Sequence, residues 1–195
     1  MFSYLFRYVL IVFLLFLACS NQIPQRPPNI VWLVAEDISP ALGAYGDEFA
    51  TTPNIDELAA QGIVYENAFA TAPICAPSRS CLMSGLYATS LGTQHLRCEI
   101  PFPEQLQTLP ELLSEAGYFT SNRNKTDYNF DPQNRWEHWS GSLTPWRERE
   151  KDRPFFSFIN IGPSHEGSVN NKQRFEELTQ DLDPALRHDP AQVTV

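Results

Sequence analysis

Cys75-Ala76-Pro77-Ser78-Arg79 sets a sulfur atom one helical turn ahead of a permanently charged guanidinium. A cysteine in such a place is either a small buried hydrophobe or a reactive centre, and its neighbours decide which. Glu36-Asp37 closes an apolar run. Adjacent carboxylates repel one another, so the pair is either a solvated turn or the start of a site for a hard divalent cation such as Ca²⁺. His165 follows a second apolar run; an imidazole titrates near neutrality and suits proton transfer to a leaving oxygen, the rival reading being a structural loop histidine.

The run around Cys75 resembles the C-x-P-S-R signature of the type I sulfatases. The likeness extends from Asn29 to Leu96 through Asn29-Ile30-Val31, Ala35-Glu36-Asp37, Gly43-Ala44-Tyr45-Gly46, Thr52-Pro53-Asn54-Ile55-Asp56 and Leu82-Met83-Ser84-Gly85. It thins to islands near Lys125 and His165, and the pattern around Glu36-Asp37 and Lys125-Thr126-Asp127 is similar to a bacterial branch near the heparan N-sulfatases. The resemblance implies that a sulfatase-maturing enzyme oxidises Cys75 to formylglycine, an aldehyde whose hydrate carries two geminal hydroxyls. One hydroxyl attacks sulfur; the other lets the enzyme release sulfate by re-forming C=O, a route closed to an ordinary alcohol.

The same resemblance assigns roles to the other residues. Glu36, Asp37 and Cys75 as formylglycine would hold one Ca²⁺, with further ligands downstream of Val195; the family commonly has Asp-Asp where Glu36-Asp37 stands. Arg79 would anchor the hydrate, Lys125 would bind sulfate, and His165 would bind sulfate or protonate the departing group. Lys125 read alone is a surface lysine. Most members carry a histidine two residues after that lysine, whereas this chain has Asp127. His95 is a further pocket candidate, and His138 between Trp136 and Trp139 is a packed or substrate-edge residue. The implied activity is sulfuric ester hydrolysis on sulfated carbohydrate. A phosphate or phosphonate ester hydrolase using the same diol is one rival, and a non-catalytic glycan-binding surface lipoprotein another. Trp136, Trp139 and Trp146 can stack on sugar rings under either reading.

Such groups need rigid elements to aim them. Ile30 to Ala35 is a continuous, β-branched apolar run, the pattern of a strand buried on both faces of a parallel sheet, and Phe155 to Ile161 is a second strand. Strand ends of that kind deliver ligand-binding residues at the carboxyl edge of an open sheet. Thr52 and Pro53 begin a helix that Gly62 stops, leaving Asp56 an exposed helix residue rather than a ligand. Ser78 to Ala88 suits a helix entered directly from the signature, with its first N–H groups facing an anion. Thr108 and Glu111 form a capping box before the stripe Leu109, Leu112, Leu113 and Ala116, which Gly117 ends. The fold class is α/β, and the resemblance makes it an alkaline-phosphatase-like sandwich with a mostly parallel central sheet, incomplete here.

The 195 residues are 43% hydrophobic and carry a formal net charge of −9 with 14 basic residues in no long run. A folded domain is expected, and a nucleic-acid partner is not, since phosphate contacts need clustered Lys and Arg. Arg7 and the apolar Val9–Ala18 run predict a signal peptide over 1–18, too short to span a bilayer comfortably. Leu17-Ala18-Cys19 resembles a lipoprotein cleavage site, so residues 19–28 are a lipidated N-terminus and linker that tethers an exported, periplasmic or cell-surface protein to a membrane; ordinary secretion and a retained anchor are the alternatives. Residues 29–195 are the expected N-terminal part of a catalytic domain, truncated before its second acidic segment. Isolated, such a piece would be inactive and prone to associate through open sheet edges. Cys81 and Cys98 stay open between a disulfide and two thiols.

Overall fold

A computed structural model describes residues 26–131, 135–140, 144–183 and 185. The signal peptide, Cys19 and the start of the linker lie outside them. Among the described residues four strands form one sheet in the order β1-β4-β2-β3, with β1 Ile30–Ala35, β2 Phe119–Arg123, β3 His138–Ser140 and β4 Phe155–Ile161. Every pairing is parallel, as the α/β pattern requires. Both apolar runs form the strands the sequence predicts.

The register decides which side chains share a face. Ile30 pairs with Phe156 and Phe119 with Phe155, so Trp32, Val34, Phe156 and Phe158 point to one side. There they meet Met83, Tyr118, Tyr128, Phe130 and Trp136 in the core, where Trp32 lies edge-on to Phe158 at 5.3 Å and Trp136 stacks on Phe156 at 5.7 Å. On the other side Val31 and Leu33 are about half exposed, 49% and 57%. The expectation of a strand covered on both faces is therefore corrected: β1 is an edge strand, and no described element packs over its outer face.

The helices are α1 Pro53–Gln61, α2 Cys75–Ser84, α3 Ala88–Leu91, α4 Leu109–Glu115, α5 Gly167–Asn170 and α6 Lys172–Thr179. The helix expected over 78–88 starts three residues earlier, so the signature is its first turn. It also ends earlier, because Gly85 adopts φ +68° and closes α2 before α3 begins. Asp56 is part-buried rather than exposed, and Thr52 at the N-cap makes no side-chain cap: the Asp56 carboxylate accepts from Ala44 N–H at 2.8 Å and the Thr52 hydroxyl at 3.0 Å, tying α1 to the preceding loop. No helix of the described residues is long and apolar enough to cross a membrane.

α4 shows the expected capping box, with Glu111 accepting from both the Thr108 N–H and its hydroxyl at 2.7 Å. Leu109 and Leu113 reach the core, but Leu112 is half exposed. Burial works to raise the Glu111 pKa, yet the Thr108 hydrogen bonds and Arg135 at 2.9 Å prevail and hold it below the ordinary carboxylate range. A carboxyl depressed in the folded state stabilises above its unfolded pKa and loses that contribution as pH falls through the folded one. Glu111→Gln is thus expected to lower urea stability at neutral pH, with the gap to the wild type closing as pH drops below about 4; a gap independent of pH would contradict this.

Candidate functional site

Parallel strands end on the same side of a sheet, and here the neighbouring strands β1, β4 and β2 bring three connections to one edge. β1 delivers Glu36, β2 delivers Asn124 and Lys125, and β4 delivers Gly162 to His165. α2 brings Cys75 and Arg79 to the same edge. Residues far apart in sequence thereby meet: Glu36, Cys75 and His165 each place one ligand atom within 4.8 Å of the others.

Glu36 is buried and carries two cations. Arg79 Nη1 lies 3.3 Å from Oε1, and Lys125 Nζ lies 2.9 Å from Oε2. Arg79 is only 3% exposed, and its guanidinium is held by the protein itself. Its Nε donates to the Thr126 carbonyl at 2.6 Å and Nη2 to the Lys125 carbonyl at 2.7 Å, while its plane lies 5.4 Å from the ring centres of Tyr128 and Phe158. A buried guanidinium needs such full satisfaction. Arg79 thus fixes the 124–129 loop directly.

That loop is shaped by Asn124, Asp127 and Asn129, all at positive φ (+73°, +51° and +60°), a region Asn and Asp tolerate better than other side chains. Beneath it sits a polar floor that the sequence reading missed. Asn160 donates to Asn122 Oδ1 at 3.0 Å and to the Arg123 and Lys125 carbonyls at 2.6 and 3.1 Å, and Asn122 donates to Tyr128 Oη at 3.1 Å. Burial pushes the Tyr128 pKa up to about 12, against the pull of Arg79, so the phenol stays neutral. The available signal was an asparagine inside the otherwise largely apolar strand Phe155–Ile161; Phe119–Arg123, Phe-Thr-Ser-Asn-Arg, gave none of that kind.

Asp37 behaves differently from Glu36. It is exposed, at φ +53°, and its Oδ2 accepts from the Glu166 N–H at 3.0 Å. It lines the cleft beside Cys75 with Glu36, Ser78 and Arg79. Lys125 and His165 line an adjoining cleft with Glu36, Asn124, Asn160 and Arg174, so Glu36 is the wall between the two. His165 Nδ1 accepts from the Gly167 N–H at 3.0 Å, leaving Nε2 for other partners.

Other candidates fall away from this edge. His95 is exposed and offers its carbonyl to Asn129 at 2.8 Å. His138 packs on Phe119 and lies 3.1 Å from Glu148. Trp136 is in the core, and Trp146 stacks on Phe155 at 5.3 Å, so both are packing residues rather than free sugar platforms; the Trp139 side chain lies outside the described ones. Cys81 and Cys98 are free thiols, which settles the disulfide question against pairing.

The donors fit a metal whose nature depends on position 75. A thiol beside imidazole and carboxylate suits Zn²⁺, but an aldehyde hydrate there offers oxygen, and with Glu36 and the nearby Asp37 the set then suits a hard cation.

The profile of the family described as Sulfatase matches residues 28–142. The ulvan-active sulfatase of Formosa agariphila is 36% identical over 174 residues, which cover 83% of this chain and 29% of that protein. The N-acetylglucosamine-6-O-sulfatase of Bacteroides thetaiotaomicron is 33% identical over 63% of this chain and 22% of its own length. A solved structure in complex with its substrate D-glucosamine-2-N,6-O-disulfate superposes with TM-score 0.60 at 25% identity, over 74% of this chain and 38% of that one. The chain therefore spans about a quarter of the length of these curated relatives.

Proposed function

The chain belongs to the sulfatase family, with its alkaline-phosphatase-like α/β fold, and from that premise we propose that the complete protein hydrolyses sulfate esters on carbohydrate. The observation that carries the reading is the convergence of Glu36, Cys75 and His165 at one sheet edge, with Arg79 and Lys125 against the same carboxylate. The relatives' names, an ulvan-active sulfatase and an N-acetylglucosamine-6-O-sulfatase, support a sulfated saccharide as substrate.

In this reading position 75 is a formylglycine hydrate made by a sulfatase-maturing enzyme. One hydroxyl oxygen of the hydrate attacks sulfur as the S–O bond to the sugar breaks, and His165 supplies the proton to the departing oxygen. The remaining hydroxyl then loses its proton, C=O re-forms, sulfate leaves, and water restores the hydrate. Glu36, Asp37 and position 75 would hold Ca²⁺, which would supply Lewis-acid stabilisation of the sulfate charge. Arg79 holds Glu36 and the lysine loop in place, and Lys125 at the mouth of the second cleft offsets charge on the sulfate oxygens. A lipid on Cys19 would keep the protein at a membrane surface after export.

Matched sulfate and phosphate monoesters of one sugar, offered to the complete matured protein, test the assignment. Sulfate release is expected to dominate, and preferential phosphate release would replace the reading with that of a phosphoester hydrolase. Chelation of divalent cations is expected to abolish turnover and added Ca²⁺ to restore it; full activity after exhaustive chelation would remove the metal from the account.

A further inference from the structure

Asp127 lies two residues after Lys125 on the loop whose carbonyls Arg79 holds. Lys125 Nζ lies between two carboxylates, Glu36 Oε2 at 2.9 Å and Asp127 Oδ2 at 3.9 Å. Glu36 is claimed from its other oxygen by Arg79 as well. A divalent cation on Glu36 Oε2 and the ammonium 2.9 Å from the same oxygen would stand about 4–5 Å apart and repel one another wherever water is scarce. The lysine is then better placed on another anion.

Asp127 is the anion within reach. Its side chain and that of Lys125 are similarly accessible, 26% and 22%. It lines neither the Cys75 cleft nor the Lys125–His165 cleft, but a third one beside Arg97, Cys98 and Tyr128. Direct contact with the nucleophile is therefore not its role; contact with the lysine is. Resting on the sulfatase reading above, we propose that Asp127 is a positioning residue, which receives the Lys125 ammonium when a divalent cation takes Glu36 and holds it beside the sulfate cleft. The backbone at φ +51° aims the carboxylate, and because asparagine tolerates that conformation, Asp127→Asn removes the charge without changing the turn.

The test is calorimetric titration of the complete matured protein with calcium chloride alone, on wild type, Asp127→Asn, Lys125→Met and the double variant. Asp127→Asn is expected to weaken Ca²⁺ binding by about five- to tenfold, because the lysine stays on Glu36, while Lys125→Met and the double variant bind alike. Asp127→Glu should recover most of the affinity, and in steady state Asp127→Asn should raise KM for a sulfated sugar more than it lowers kcat. Unchanged Ca²⁺ affinity in Asp127→Asn, or an equal loss in the Lys125→Met background, overturns the proposal, the latter making Asp127 a ligand in its own right. A wild type that binds no Ca²⁺ overturns it together with the metal part of the functional reading. A wild type that binds Ca²⁺ but spares sulfate esters removes the functional reading alone.

Discussion

Cys75→Ala is expected to abolish sulfate-ester hydrolysis by the complete protein, with a loss of at least about 10⁴-fold in kcat, while leaving the fold intact. The size follows from the chemistry: alanine offers no oxygen to attack sulfur and no second hydroxyl to expel sulfate. The neutrality of the fold follows from the structure. Cys75 is the first residue of α2, partly exposed at the cleft, whereas the adjacent Ala76 is fully buried and does the packing there. Cys75→Ser is the more informative companion, because a serine hydroxyl can attack once but cannot eliminate sulfate. A single slow turnover that leaves a sulfated enzyme is the expected result. Activity above a few per cent in Cys75→Ala would place the nucleophile elsewhere.

The second large effect is structural. Arg79→Met is expected to destabilise the protein by about 3–5 kcal/mol, the range for removing one partner of a buried ion pair, and to abolish activity with it. Three losses coincide: the Thr126 carbonyl loses the Arg79 N–H, the Lys125 carbonyl loses one of its three donors while Asn122 and Asn160 stay, and Glu36 keeps only Lys125 as a counter-ion in a buried site. Arg79→Lys should not rescue, since one ammonium cannot span a carboxylate and two carbonyls in the directions a guanidinium does. Glu36→Gln in the Arg79→Met background separates the effects, because neutralising the stranded acid should recover part of the stability but none of the activity. Thermal denaturation with parallel rate measurements reads both; an Arg79→Met protein as stable as wild type would show that the loop does not depend on this side chain.

How far the sequence alone could go depended on the kind of interaction. β1 was legible because a continuous apolar run of six residues admits few other structures, β4 because five of its seven residues are apolar, and α4 because Thr108, Glu111 and Gly117 mark its ends locally. Cys75, Arg79, Lys125 and His165 were legible as types at familiar spacing. What was hidden was how they meet. The Arg79 guanidinium reaching Glu36 spans 43 residues and Lys125 to Glu36 spans 89, and only the parallel register brings those strand ends together. The asparagine floor was hidden too: Asn122 carries no local signal and Asn160 only its place in an apolar strand, and only the folded chain brings their buried amide N–H groups onto the Arg123 and Lys125 carbonyls. The open face of β1 was misread because hydrophobicity reports a tendency to be covered, not the presence of a cover.

Peptide mass spectrometry of the segment containing position 75, from protein produced with an active sulfatase-maturing enzyme, bears most directly on the central claim. The account predicts the mass decrease of a thiol replaced by an aldehyde, on Cys75 and on neither Cys81 nor Cys98, and its absence from Cys75→Ala. A Cys75 that remains an unmodified thiol beside an active maturase would contradict it and favour a glycan-binding protein that keeps the fold without the chemistry.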